Sequence, residues 1–316
     1  MSPLEIVLFL VGGLVLLFVG AEGLIRGSSN LAIKIGITPL VVGLTVVAFG
    51  TSTPELVVSL KAALLGNSSI SLGNIIGSNI ANIALILGLA AIIKPLDVHA
   101  KVIMREIPIM IGISLLLLFL LLDGELGFID GLIFVIGLVV YIIANVMMAR
   151  KEKNPAVDTE FKEGLKSKLG IPISIILMIV GLGLLILGAD LFVQSAVAIA
   201  KKFNVSDAII GLTIVAIGTS LPELITSIVA AYKNEADIAI GNVVGSNIFN
   251  ILGILGITAL IIPISSVGIS YIDLGVMLIT AIILFPLSRT GFSISRFEGV
   301  FLLVGYAGYV YYLLPK

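Results

Sequence analysis

The chain has 316 residues, 59% hydrophobic and only 12% charged, with a mean hydropathy of +1.25 and a formal net charge of −1. No water-soluble core absorbs that much apolar surface, because a soluble domain must also cover itself with polar side chains. With no cysteine and a single histidine, His99, the chain excludes disulfides, thiolate metal sites and histidine clusters.

Apolar runs of about 17–25 residues cross a bilayer as helices. They predict an all-α polytopic membrane protein with ten spans, near 4–25, 36–64, 70–93, 104–122, 128–148, 171–195, 207–232, 238–262, 271–288 and 297–314. The first run lacks a basic leading region and an A-x-A cleavage site, so it is expected to be retained as a helix. The second contains "GTSTPEL" (Gly50–Leu56), where proline and glutamate interrupt an apolar segment. Proline costs roughly 3 kcal/mol inside a regular helix, and a carboxylate costs about 2.5–3.5 kcal/mol near a bilayer centre. The third carries "GNIIGSNIAN" at 73–82. Residues 149–170 form the only long polar connection, with mixed charges and no apolar period. They read as a linker between 1–148 and 171–316. The seventh and eighth spans then carry "GTSLPEL" (Gly218–Leu224) and "GNVVGSNIFN" at 241–250.

Lys and Arg sort between alternate loops, 14 on one side and 4 on the other. By the positive-inside rule both termini are expected outside and the linker 149–170 in the cytoplasm of a cell-membrane protein.

Residues 43–89 align without gaps onto 211–257, with 26 of 47 positions identical, and Gly20-Ala21-Glu22 pairs with Gly188-Ala189-Asp190. Each copy holds five spans, an odd number, so the second enters the membrane from the opposite side. Inverted repeats with interrupted helices at matching positions mark secondary transporters, with the site near the midplane.

Each repeat carries two polar clusters. The first is Thr51, Ser52, Pro54, Glu55 and Ser59, matched by Thr219, Ser220, Pro222, Glu223 and Ser227. Thr51, Glu55 and Ser59 share one helix face. Pro54 and Pro222 cannot donate to the carbonyls of Gly50 and Gly218, so each predicts a broken helix with freed carbonyls beside a carboxylate. The second is the i, i+4, i+8 stripe Asn74, Ser78, Asn82, matched by Asn242, Ser246, Asn250. Gly73, Gly77, Gly241 and Gly245 admit a close backbone. Serine and asparagine in such helices also serve packing. Glu55 and Glu223 have no Lys or Arg at matching depth. Other acids (Glu22, Asp190, Asp123, Glu125, Asp130, Asp273, Glu298) fall near span ends and read as interfacial. Two facing carboxylates repel one another and call for a cation. Donors limited to carboxylate, carbonyl, hydroxyl and amide oxygens suit Ca²⁺ or Na⁺ and exclude zinc or copper. Two glutamates carry −2, which one Ca²⁺ or two Na⁺ neutralise.

The paired "GTSTPEL"/"GTSLPEL" and "GNIIGSNIAN"/"GNVVGSNIFN" resemble the two repeats of the sodium/calcium exchanger family, within the cation/calcium exchanger superfamily. That resemblance implies an antiporter with two inverted five-helix repeats and a core of broken helices 2, 3, 7 and 8. It implies Ca²⁺ held by Glu55, Glu223 and the main-chain carbonyls of Thr51 and Thr219. Na⁺ would use the glutamates with Ala48, Thr51 and Ser78 in one half and Ala216, Thr219 and Ser246 in the other. The hydroxyls of Ser52 and Ser220 join the donor set, and Asn82 and Asn250 line the centre. Helices 1 and 6 would slide across the core. Three Na⁺ per Ca²⁺, and hence electrogenic exchange, follow from the family.

Asparagine at 250, where some relatives have Asp, argues against potassium co-transport. The short linker leaves no room for the calcium-sensing domains of animal exchangers and fits a small prokaryotic type. The expected protein works as a monomer in the lipid bilayer, binds no nucleic acid, needs no cofactor and is not an enzyme. The alternatives are an H⁺/Ca²⁺ exchanger of the same fold, whose branch usually has "GN" in place of "GTS", and a cation channel.

Overall fold

The computed structural model describes residues 2–35, 38–151, 169–202 and 216–313. Among these, seven helices are long and apolar enough to cross a membrane, or eight counting one bent pair. Most of the expected linker, and residues 207–215 of the expected seventh span, lie outside the described residues.

Helix α1 (Pro3–Ile35) exposes Leu4, Val7, Leu8, Val11, Leu14, Val15 and Phe18 and buries Leu17, Ala21, Leu24 and Ile25. An exposed apolar stripe at three- and four-residue spacing is what a hydrocarbon solvent requires. Its inner face packs antiparallel on α7 (Ile171–Lys202) along a glycine seam. A Cβ at Gly13 would lie 2.8 Å from the Gly188 carbonyl oxygen, and one at Gly20 would lie 2.7 Å from that of Gly181. Gly27 meets the Ser174 carbonyl oxygen equally closely. Seven-residue spacing puts the glycines on one stripe, and small residues let the backbones touch.

The second span is α2 (Pro39–Thr51) and α3 (Thr53–Leu64), bent by 45°. The bend sits at Ser52 (φ −82°, ψ 8°), and Pro54 falls in the first turn of α3, where a missing N–H is harmless. Ser220 (φ −89°, ψ 7°) likewise separates α8 (Ala216–Thr219) from α9 (Leu221–Tyr232), which opens with Pro222. The proline-marked breaks therefore occur as the sequence predicts.

Helices α4 (Ser68–Ile93) and α10 (Ala236–Ile261) occupy the centre. Their most apolar windows are 78% and 83% buried, against 22–33% for α1, α7 and the peripheral α5 (Val102–Asp123), α6 (Phe128–Lys151) and α11 (Tyr271–Arg289). The breaks expected in the third and eighth helices do not occur: α4 and α10 are continuous. Each winds through a π turn, Asn82–Leu87 and Asn250–Leu255. Neither contains proline, so no backbone donor is lost. One extra residue per turn widens the helix without interrupting it.

The close approach expected at glycines is seen on α10. A Cβ at Gly245 would fall 2.6 Å from the Leu44 carbonyl oxygen, and Gly241 meets Leu40 at 3.0 Å. Gly77 meets nothing within 4 Å among the described residues, and Gly73 meets only Ile269, at 3.5 Å.

Two short antiparallel pairs bind the halves together. β1 (Leu96–Asp97) pairs with β4 (Ser293–Ile294), after which α12 (Arg296–Leu313) begins, and β2 (Glu125–Leu126) pairs with β3 (Ile264–Ser265). The registers Leu96↔Ile294 and Leu126↔Ile264 interconvert under the same offset that aligns the sequence repeat. Acids at span ends behave as caps. Asp130 accepts from the Gly127 amide at 2.8 Å, Glu298 from the Ser295 amide at 2.7 Å, and Asp273 closes a capping box with Ser270.

Candidate cation site

Glu55 and Glu223 stand in the first turns of α3 and α9, each only 1% exposed. The breaks at Ser52 and Ser220 start new helices here. Their N-terminal amides and dipoles favour negative charge at this depth. Each carboxylate is held by a serine from the other half: Ser52 Oγ donates to Glu223 Oε1 at 2.8 Å, and Ser220 Oγ donates to Glu55 Oε1 at 3.0 Å. Ser220 Oγ also lies 3.2 Å from Ser78 Oγ on α4. The second oxygens, Glu55 Oε2 and Glu223 Oε2, are buried without a hydrogen-bond partner among the described residues. The ion pairs among the described residues involve Glu22, Glu106 and Asp237, and neither site glutamate joins one.

Behind the glutamates, the stripe expected from the sequence divides its labour. Asn74 Nδ2 donates to Ser59 Oγ at 3.0 Å and to the Glu55 carbonyl at 3.4 Å. Asn242 Nδ2 makes the matching bonds to Ser227 Oγ at 3.0 Å and the Glu223 carbonyl at 3.3 Å. These two asparagines thus brace the glutamate-bearing turns. Thr51 Oγ1 donates to Asn242 Oδ1 at 3.0 Å and also approaches the Val47 carbonyl.

Ser246 is fully buried and its Oγ has no partner among the described residues. Asn82 and Asn250 open the π turns, each 1% exposed. Their amide nitrogens are bonded and both amide oxygens are left unpaired. Ala48 is buried, and its carbonyl takes the Ser52 amide at 3.0 Å. Thr219 ends α8 directly before Ser220. Ala216 opens α8, and its side chain lies outside the described residues.

Three features escape the sequence reading. Asn79 and Asn247 bond each other's main chain across the centre. The signal for them is the "GSN" shared by both copies one position off the stripe. Glu106 on α5 is buried and accepts from Tyr141 OH at 2.8 Å, with Arg105 alongside. Tyr309 OH reaches Asp273 at 2.9 Å, the related tie in the second half. The glycine seam of α1 and α7 is the third.

Among the described residues, Glu55, Glu223, Asn82 and Asn250 each leave one buried side-chain oxygen unpaired, and so does the Ser246 hydroxyl, alongside other buried hydroxyls such as those of Ser71 and Thr226. A buried neutral acceptor left unpaired costs about 1–3 kcal/mol, and a charged one more. A cation is one partner that relieves such acceptors, and hard oxygens of net charge −2 suit Ca²⁺ or Na⁺. Among the described residues no three carboxylate or imidazole side chains cluster, so neutral oxygens must complete any shell.

Residues 5–147 and 173–314 match the sodium/calcium exchanger protein family. The putative antiporter CaxA of Alkalimonas amylolytica is 39% identical over 314 residues, 98% of each chain. The sodium/calcium exchanger MaX1 of Methanosarcina acetivorans is 32% identical, covering 96% of this chain and 97% of its own. A solved structure of the sodium-calcium exchanger NCX_Mj superposes with a TM-score of 0.85 at 33% identity, covering both chains completely. With a family match across both halves and an architecture shared over its whole length with a solved exchanger, this chain belongs to the sodium/calcium exchanger family.

Proposed function

We propose that the chain exchanges Na⁺ for Ca²⁺ across the cell membrane by alternating access, with Glu55 and Glu223 as shared ligands of both ions. The observation that carries this reading is the reciprocal serine–glutamate pair. It uses one oxygen of each buried carboxylate and leaves the other for a cation. Thr51, Thr219, Ser52, Ser220, Ser78, Ser246, Ala48, Ala216, Asn82 and Asn250 complete the donor set, by hydroxyl, amide or main-chain oxygen. Ten spans in two oppositely inserted five-helix halves agree with the β pairs and with the serine–glutamate bonds, which exchange partners under one sequence offset. The basic residues at 94–105 and 289–296 meet where β1 pairs with β4, which supports a cytoplasmic location for that end and outside locations for both termini.

Three Na⁺ against one Ca²⁺ moves one net charge per cycle. The test is Ca²⁺ uptake by Na⁺-loaded proteoliposomes diluted into Na⁺-free buffer, with choline, potassium and proton-gradient controls. Uptake is expected to need internal Na⁺ and to accelerate when the interior is made positive. A unit charge crossing the membrane is worth about 2.3 kcal/mol per 100 mV. Equal uptake under a proton gradient would replace Na⁺ with H⁺ as the coupling ion, and uptake without any counter-ion would indicate a channel.

Alternating access requires α1 and α7 to move against the core. Lys233 Nζ, at the end of α9, contacts Glu22 Oε1 of α1 at 2.9 Å. Its counterpart in the first half is Leu65, and among the described residues Asp190 bonds Gln194 of its own helix, at 2.7 Å, and no basic side chain. The tie thus acts at one face. A half-exposed pair contributes about 0–1 kcal/mol. Lys233→Ala is therefore expected to change the ratio of apparent Ca²⁺ affinities at the two faces by up to about fivefold, without loss of exchange. Affinities measured in oriented proteoliposomes check this.

A further inference from the structure

An asparagine amide presents either oxygen or nitrogen after a half-turn, and only the oxygen attracts a cation. Something must therefore fix the Asn82 and Asn250 side chains if they face an ion. The fixing begins at the main chain. The Asn247 carbonyl can only accept, so the Asn79 atom 3.3 Å from it must be the donor, Nδ2. That leaves Asn79 Oδ1 as an acceptor, and the Asn250 atom 2.9 Å away must in turn be its Nδ2. Asn250 Oδ1 is then left unpaired, in the interior where its π turn packs on α3, the helix of Glu55.

The same chain of constraints runs the other way. Asn247 Nδ2 donates to the Asn79 carbonyl at 3.3 Å, Asn82 Nδ2 donates to Asn247 Oδ1 at 2.9 Å, and Asn82 Oδ1 is unpaired where its turn packs on α9. All four asparagines are at most 2% exposed, so water cannot substitute for either partner.

The geometry points to Asn79 and Asn247 as positioning residues that aim the Asn250 and Asn82 oxygens at the transported cation, each acting through the opposite half of the molecule. A flipped Asn250 would set two oxygens against each other at 2.9 Å and turn its NH₂ toward the ion. The inference rests on the exchanger reading, because it needs a cation at that centre. It also makes each half depend on an asparagine side chain of the other for the polarity of its own ligand. Both central amides are therefore set together.

A double-mutant cycle tests it, read as equilibrium binding of radioactive Ca²⁺ to purified protein. A carboxylate offers an oxygen on either side, so Asp at position 250 needs no orienting partner. Asn79→Leu is expected to weaken Ca²⁺ binding about tenfold when residue 250 is Asn and less than twofold in the Asn250→Asp background. Asn247→Leu with Asn82→Asp is expected to behave alike, and Asn79→Ala replaces the leucine variant if the larger side chain does not fold. Equal losses in both backgrounds would mean that Asn79 merely packs, and would overturn the positioning role alone. A wild-type protein that binds neither Ca²⁺ nor Na⁺ would overturn the exchanger reading with it.

Discussion

Glu55→Gln and Glu223→Gln are each expected to lower Na⁺-dependent Ca²⁺ transport at least a hundredfold while leaving the protein folded. Glutamine keeps the shape and one acceptor oxygen for the crossed serine, Ser220 or Ser52, so the local hydrogen bond survives. What disappears is one of two negative charges facing a divalent ion, and Ca²⁺ affinity follows ligand charge. Hydrogen bonds to charged groups are worth about 1.5–3 kcal/mol, and direct ligation of Ca²⁺ draws on stronger attraction still. Stability should move the opposite way. In the absence of ions, two buried carboxylates without a basic partner oppose folding, and a neutral amide relieves that opposition. Thermal unfolding in ion-free buffer should therefore be unchanged or higher in both variants. Loss of transport together with lower stability would assign the glutamates a structural role.

Gly20→Val and Gly188→Val are expected to abolish exchange by separating α1 from α7. At Gly20 a Cβ alone would sit 2.7 Å from the Gly181 carbonyl oxygen and 2.8 Å from the Leu185 nitrogen, against backbone that cannot turn aside. Gly188 meets Gly13 and Leu17 as closely. The helices must part, and overpacking of this kind costs about 1–3 kcal/mol or more. Gly12 on the same helix has nothing within 4 Å of its Cβ position, so Gly12→Ala is the control and should be neutral. Exchange rate and thermal unfolding of the three variants check the seam. A functional Gly20→Val protein would mean that the two helices do not rely on this contact.

The glutamates and the helix breaks were legible because each violates a strong local rule. A carboxylate and a proline at membrane depth demand an explanation, and here both occur twice at one spacing. The centre was harder to read. The i, i+4 stripe grouped Asn74 with Asn82, although the first braces a glutamate turn and the second opens a π turn. No residue type announces a π turn, and a strict 3.6-residue period therefore misplaces the side chains beyond it. Asn79 lay off the stripe, and its role depends on the carbonyl of a helix far along the chain. The glycine seam was hidden because Gly13 and Gly20 stand among apolar residues that suit lipid, and Gly27 follows in a polar stretch beside Arg26 and Ser28. Only the antiparallel partner shows which face needs them small. The β pairs are two residues long, too short to leave a pattern in the sequence.

On the proposed mechanism, Na⁺ and Ca²⁺ occupy one set of oxygens around Glu55 and Glu223. The most direct test is equilibrium Ca²⁺ binding to the purified protein at increasing Na⁺, without any membrane gradient. A single high-affinity Ca²⁺ site is expected, with an apparent dissociation constant that rises steeply with Na⁺, more than in first order, while the number of sites stays constant. Ca²⁺ binding of unchanged affinity in saturating Na⁺ would place the two ions on separate sites and contradict it.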